Sequence, residues 1–109
     1  MTPSALPTYS LADAQKKIEL GYVQITWSAL EGAAELEFDE EDIKECVCGL
    51  TTSDFDKTMP SHATPGTFQD VYKTEFYGKR VYTKLSLRPG NKPVVVSFKR
   101  DESFHGEAP

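Results

Sequence analysis

TFQDVYKTEFYGKRVYTKLSLRPGNKPVVVSFKR, residues Thr67 to Arg100, is the stretch whose reading decides the fold. Three runs rich in Val, Tyr, Phe and Thr, at Thr67–Phe76, Arg80–Leu87 and Pro93–Arg100, are separated by the turn residues Tyr77-Gly78 and Pro89-Gly90-Asn91. That spacing predicts an antiparallel three-strand meander. In the middle run Val81, Thr83, Leu85 and Leu87 alternate with Tyr82, Lys84, Ser86 and Arg88, so one face is apolar and the other polar and basic. The last run repeats the pattern, with Val94, Val96 and Phe98 expected inward and Val95, Ser97 and Lys99 outward. A four-residue loop flanked by Arg88 and Pro93 sets Tyr82 opposite Lys99 and Lys84 opposite Ser97. A two-residue loop at Tyr77-Gly78 sets Lys73 opposite Tyr82 and Gln69 opposite Ser86. The outward face then collects Tyr82, Lys84 and Lys99.

Upstream of this stretch the period changes from two to that of a helix. Ser10 is placed to cap a first helix carrying Leu11, Ala14 and Ile18 on one face, stopped by Gly21. Tyr22–Ile25 alternates as a short edge strand. Thr26 caps a second helix with Trp27, Leu30 and Ala34 inward, in which Gly32 is a weak residue. Asp39, with Asp42 at capping-box distance, opens a third helix bearing Ile43, Val47 and Leu50 and ending near Gly49. Thr51-Thr52-Ser53-Asp54 then caps a short turn that carries Phe55 and Lys57 and ends at Pro60. A loop from Pro60 to Gly66, holding His62, leads into the first long strand, where a binding loop would be well supported. Residues 1–9 and 101–109 are expected to be loose termini. Helices in the first half and an antiparallel sheet in the second predict an α+β domain spanning 1–109, its apolar sheet face covered by the helices. Phe68, Tyr72, Phe76, Leu85, Leu87, Val94, Val96 and Phe98 form the expected sheet side of the core. Trp27, Leu30, Ile43 and Val47 form the helix side.

With 109 residues the chain can build one substantial core. It has no 18-residue apolar run and no charged-then-apolar leader, so a soluble protein is expected, with the cytoplasm as its compartment. Cys46 and Cys48 are too few for a disulfide framework or a four-ligand zinc site and are expected to be buried free thiols. The acidic run Asp39-Glu40-Glu41-Asp42 is expected at a helix N-terminus, where the macrodipole favours carboxylates, rather than around a metal. A net charge of −5 argues against a nucleic-acid partner until its distribution is considered. Residues 1–56 carry three basic and twelve acidic side chains, a balance of −9, whereas residues 57–109 carry nine and five, a balance of +4. Such a split can make a basic surface on an acidic molecule.

The chain has no glycine-rich phosphate loop, nucleophile elbow, paired-cysteine knuckle or His-Glu-x-x-His spacing, so most enzyme classes lack support. What remains is Lys57, Gln69, Lys73, Tyr82, Lys84 and Lys99, a set able to grip a phosphodiester and move protons without a metal or other cofactor. Lysines on a strand also serve solubility, and an unrelated α+β interaction domain with a solvated lysine face would show neither RNA cutting nor salt-dependent RNA binding.

Four segments in order resemble the MqsR family of bacterial toxin endoribonucleases. Phe55-Asp56-Lys57-Thr58-Met59 is similar to that family's F-Y-K-S-M, Phe68-Gln69-Asp70-Val71-Tyr72 to W-Q-D-V-Y, Val81-Tyr82-Thr83-Lys84 to V-Y-L-K, and Val96-Ser97-Phe98-Lys99 to V-S-F-K. Ser28-Ala29-Leu30 and Gly49-Leu50 add to the ordered match, which covers nearly the whole chain. The resemblance implies a RelE-like microbial ribonuclease fold, cleavage of messenger RNA at short GC-containing sequences, and a cognate antitoxin of the MqsA type. Carried over by position, it implies catalytic roles for Lys57, Gln69, Tyr82 and Lys99, with Lys73, Lys84 and Arg88 as further RNA contacts. Neighbouring lysines are expected to lower the pKa of Tyr82, the proton-transfer group, while Lys57 and Lys99 offset phosphorane charge and Gln69 orients it. Three features depart from the family pattern: Asp56 in place of tyrosine, Phe68 in place of tryptophan, and the acidic first half. Asp56 opens a second reading, a catalytically weakened member that binds RNA or its antitoxin without cutting.

Overall fold

The computed structural model describes residues 6–61 and 65–102. Helices α1 (Leu11–Glu19), α2 (Trp27–Glu35) and α3 (Glu40–Cys48) precede the long strands β3 (Phe68–Phe76), β4 (Lys79–Arg88) and β5 (Lys92–Arg100). Two shorter strands, β1 (Gln24–Ile25) and β2 (Phe55–Pro60), complete a five-stranded sheet of order β1-β5-β4-β3-β2. Only the β1–β5 pair is parallel. The architecture is α+β, as the segregation of helical and strand patterns implied. Among the described residues no helix is long and apolar enough to cross a membrane.

Each helix starts where its capping chemistry predicts. The Ser10, Thr26 and Asp39 side chains accept from the N–H groups of Asp13, Ala29 and Asp42. Asp42 returns the bond to the Asp39 N–H at 2.9 Å, closing the capping box. The run of acidic residues at Asp39–Asp42 is thus a helix start, with Lys44 pairing to Glu41 at 3.2 Å and Glu40 at 3.7 Å. The core joins Ala29, Ala33, Ile43 and Val47 on the helix side to Tyr72, Val81, Leu85, Val95 and Phe98 on the sheet. Thr83 is fully buried there and donates its hydroxyl to the Ser97 carbonyl at 2.8 Å, so no polar atom is stranded at that point.

Five expectations are corrected. Phe55–Pro60 is not a short turn but strand β2, antiparallel to β3. The turn is confined to Thr52–Asp54, and the weak alternation of Phe55-Asp56-Lys57 becomes a strand only because β3 offers its edge. Trp27 is 73% exposed, because α2 turns its small residues Ala29 and Ala33 to the sheet. Gly32 explains the tight approach: a Cβ there would lie 2.1 Å from the Phe98 carbonyl oxygen.

The third correction concerns β5. The loop after Arg88 is the three residues Pro89-Gly90-Asn91, since Arg88 pairs with Lys92, and a bulge at Val96 shifts the register before Ser97 pairs with Lys84. Shorter loop and bulge cancel, so Tyr82 still faces Lys99. Between them, however, the pleat is inverted. Val95 enters the core opposite Leu85, while Val94 and the half-buried Val96 lie outside the core cluster. Fourth, Phe68 is 41% exposed and Leu87 only half-buried, both lying toward the sheet end where helix cover is incomplete.

Fifth, residues 6–9 are not loose. The buried Asp70 carboxylate accepts the Thr8 N–H at 3.0 Å and the Tyr9 N–H at 2.9 Å, and the Tyr9 hydroxyl donates to the Phe68 carbonyl. Asp101 is buried as well, its N–H bonded to the Arg80 carbonyl. The Tyr77-Gly78 turn is as expected, both residues having positive φ (49° and 79°), and Lys73 pairs with Tyr82. His62 and His105 lie outside the described residues.

Candidate functional site

Strand alternation gathers the site on the sheet face opposite the core. Tyr82 stands at its centre, flanked across the ladders by Lys73 on β3 and Lys99 on β5. Two residues further along β4, Lys84 pairs with Val71 and Ser97, and Val71 in turn pairs with Lys57 on β2. Gln69 pairs with Met59 beside them. All four residues expected to be catalytic therefore project from the same face as Lys73 and Lys84. Arg88 lies at the far end of β4 and meets Gln69 across a cleft of about 200 Å³.

Three ammonium groups surround the tyrosine ring. Lys99 Nζ lies 5.3 Å from its centroid, and Lys73 Nζ and Lys84 Nζ each lie 5.9 Å away, within cation–π range. The lysines also sense one another: the Lys84 pKa is lowered below 10.5 by burial first, and then by the charges of Lys99 and Lys57. A face on which cations repel this way is relieved by an incoming anion such as a phosphodiester.

The Tyr82 hydroxyl does not follow the expected direction. Its pKa is raised above 10.0, by burial first and then by the charges of Asp56 and Asp101. The lysines lie over the ring, and burial with the two carboxylates prevails at the hydroxyl. Tyr82 therefore holds its proton to higher pH than an isolated phenol does. Asp56 reaches this neighbourhood because it is the unpaired residue of a bulge between Phe55 and Lys57. Its carboxylate pairs with Lys73 at 3.7 Å rather than with the adjacent Lys57.

Among the described residues no group of three or more His, Cys, Asp or Glu side chains converges as a metal site would require. Cys46 and Cys48 are free thiols; burial pushes Cys46 up to about 12 and raises Cys48 above 9.0, so neither is an activated nucleophile.

The alternation pattern missed the apolar wall of the cleft, formed by Val94 and Val96 on the otherwise polar face. Alternation along one strand carries no signal for it, because the bulge at Val96 arises where β5 pairs with β4.

A family model described as motility quorum-sensing regulator, toxin of MqsA, matches residues 6–100. The chain is also 33% identical over 93 residues to the mRNA interferase toxin MqsR of Escherichia coli (strain K12), an alignment covering 85% of this chain and 93% of that protein. Three helices over a five-stranded, mostly antiparallel sheet agree with the α+β, RelE-like fold of such toxins. With the match running from the Asp70-anchored N-terminal segment through Lys99 on β5, the chain belongs to the MqsR toxin family.

Proposed function

We propose that this protein is an endoribonuclease toxin that cleaves messenger RNA at short GC-containing sequences and is held in check by a cognate MqsA-like antitoxin. Family membership and the mRNA interferase named among its relatives support the activity class. The observation that carries the chemistry is the half-buried Tyr82 ringed by Lys73, Lys84 and Lys99 on an open sheet face.

In the proposed reaction the 2′-hydroxyl oxygen bonds to the adjacent phosphorus and the P–O5′ bond breaks, leaving a 2′,3′-cyclic phosphate and a 5′-hydroxyl. Lys84, whose ammonium releases its proton more readily than an isolated lysine, accepts the 2′-hydroxyl proton, and Tyr82 donates one to the departing O5′. Lys57 and Lys99 balance the charge developing on the phosphorane, Gln69 orients it, and Lys73 and Arg88 hold the flanking backbone and base. No step requires a metal.

The test is cleavage of a defined RNA by purified protein in excess EDTA, with end-group analysis. Cutting should persist and leave 5′-hydroxyl ends, and Tyr82→Phe should slow it roughly 10²-fold or more. A magnesium requirement, or 5′-phosphate products, would remove this mechanism. The ion pair between Asp56 and Lys73 favours the second reading, a weakened member. Expression without antitoxin distinguishes the two: an active toxin arrests growth, whereas a weakened one restores arrest only after Asp56→Tyr.

A further inference from the structure

The cleft beside Gln69 has no role in the proton transfers above, yet it is built from two kinds of wall. Val94 and Val96 supply an apolar lining, and Gln69, Ser86 and Arg88 supply polar groups. Val96 is there because the β5 bulge turns it out of the alternation, and bulges near active sites commonly re-aim a side chain in this way. At about 200 Å³ the cleft is smaller than the roughly 300–1,000 Å³ of pockets that hold drug-sized ligands, and suits one ring system. It is continuous with the lysine face through Gln69, so a strand whose phosphate lies at Tyr82 has its next base within reach.

We propose that this cleft is a nucleobase pocket, selective for guanine, that sets where the RNA is cut. The inference rests on the ribonuclease reading and adds to it the residues that read sequence. The valine side chains cover a face of the base, as unstacked bases in single-stranded RNA require. The Arg88 guanidinium offers a donor fork to the O6 and N7 acceptors that guanine alone presents together. Ser86 Oγ donates to the Phe68 carbonyl at 2.8 Å, which leaves its lone pairs to accept from a base N–H, and the Gln69 amide oxygen can accept another. Adenine, with a donor where guanine has O6, sets N–H against the arginine fork.

Fluorescence anisotropy with pentauridylates carrying each of the four bases at the centre tests this, using 2′-fluoro sugars that lack the attacking hydroxyl. Wild-type protein should bind the guanine version about tenfold tighter than the others, the discrimination of one bidentate base contact. Val96→Trp, which fills the cleft, should abolish the preference while retaining salt-sensitive binding to all four, and Arg88→Gln should abolish it with weaker binding to all four. Should Val96→Trp fail to fold in a thermal melt, Val96→Ala and Arg88→Gln carry the comparison. Equal binding of all four bases by wild type, or a preference surviving both substitutions, overturns the pocket. A guanine preference in a protein that cuts no RNA would instead remove the ribonuclease reading and leave the pocket standing.

Discussion

Adjacent residues on one strand can have opposite duties, and Phe98 and Lys99 are such a pair. Phe98 is buried against Phe38, ring centroids 6.3 Å apart, whereas Lys99 is exposed over the Tyr82 ring. Phe98→Ala is expected to lose about 3–5 kcal/mol of stability, from transfer and cavity costs together. Lys99→Ala should change stability by about 0.5 kcal/mol or less and yet slow cleavage roughly 10²-fold. Thermal melts and cleavage rates on both variants decide; an early melt for Lys99→Ala would place that side chain in the packing instead. The pH profile tests Tyr82 and Lys84 together. Lys84 must be neutral to accept a proton, and its pKa lies below 10.5, so its active fraction grows as pH rises. Tyr82 must be protonated, and its pKa lies above 10.0, so that fraction is lost only beyond this range. Background-corrected cleavage should therefore rise as the pH is raised from neutral, by up to about tenfold per pH unit while Lys84 is still mostly charged. Lys84→Gln should flatten the rise; a flat wild-type profile would remove Lys84 as the base.

At the level of elements, α2 and β5 are held closer than side chains ordinarily allow. Replacing an exposed helix glycine with alanine usually stabilises by up to about 1 kcal/mol. Gly32→Ala should do the reverse, because its Cβ would meet the Phe98 carbonyl oxygen at 2.1 Å and the Lys99 Cβ at 3.2 Å. Backbone cannot rotate away as a side chain can, so a loss of about 1–3 kcal/mol is expected, with β5 and Lys99 displaced. A melt at or above the wild-type temperature would show that α2 moves off the sheet freely. The N-terminal segment is a second such joint. Asp70, buried and bonded to the N–H groups of Thr8 and Tyr9, ties these two residues to β3.

For the whole molecule, the sheet converts an uneven charge distribution into a usable surface. The chain is acidic, with twelve of its seventeen carboxylates before Lys57, but Lys57, Lys73, Lys84 and Lys99 share one face. If those four cations each displace a counterion from single-stranded RNA, affinity should fall roughly 50-fold between 50 and 200 mM salt. Binding of uncleavable RNA measured across that range checks the count. A salt-insensitive affinity would mean that the lysine face is not the RNA surface.

The sequence by itself determined whatever depends on local chemistry. Ser10, Thr26 and Asp39 announce the helix starts, because a capping side chain and the orphan N–H groups it satisfies lie within three residues of each other. Tyr77-Gly78 announces a hairpin, because both positions need positive φ. The meander, and with it the meeting of Tyr82 with Lys73 and Lys99, follows from those turns and from alternation. What only the tertiary structure decided lies where one element acts on another. Strand β2 exists because β3 lends it an edge, and Trp27 faces solvent because Gly32, Ala29 and Ala33 bring α2 against the sheet. The Tyr82 pKa is raised rather than lowered because folding buries the side chain and brings Asp56 and Asp101 near. The bulge at Val96 inverts half of β5 and carries valine onto the lysine face; its cause is the pairing of two strands, and alternation within one strand has no term for it.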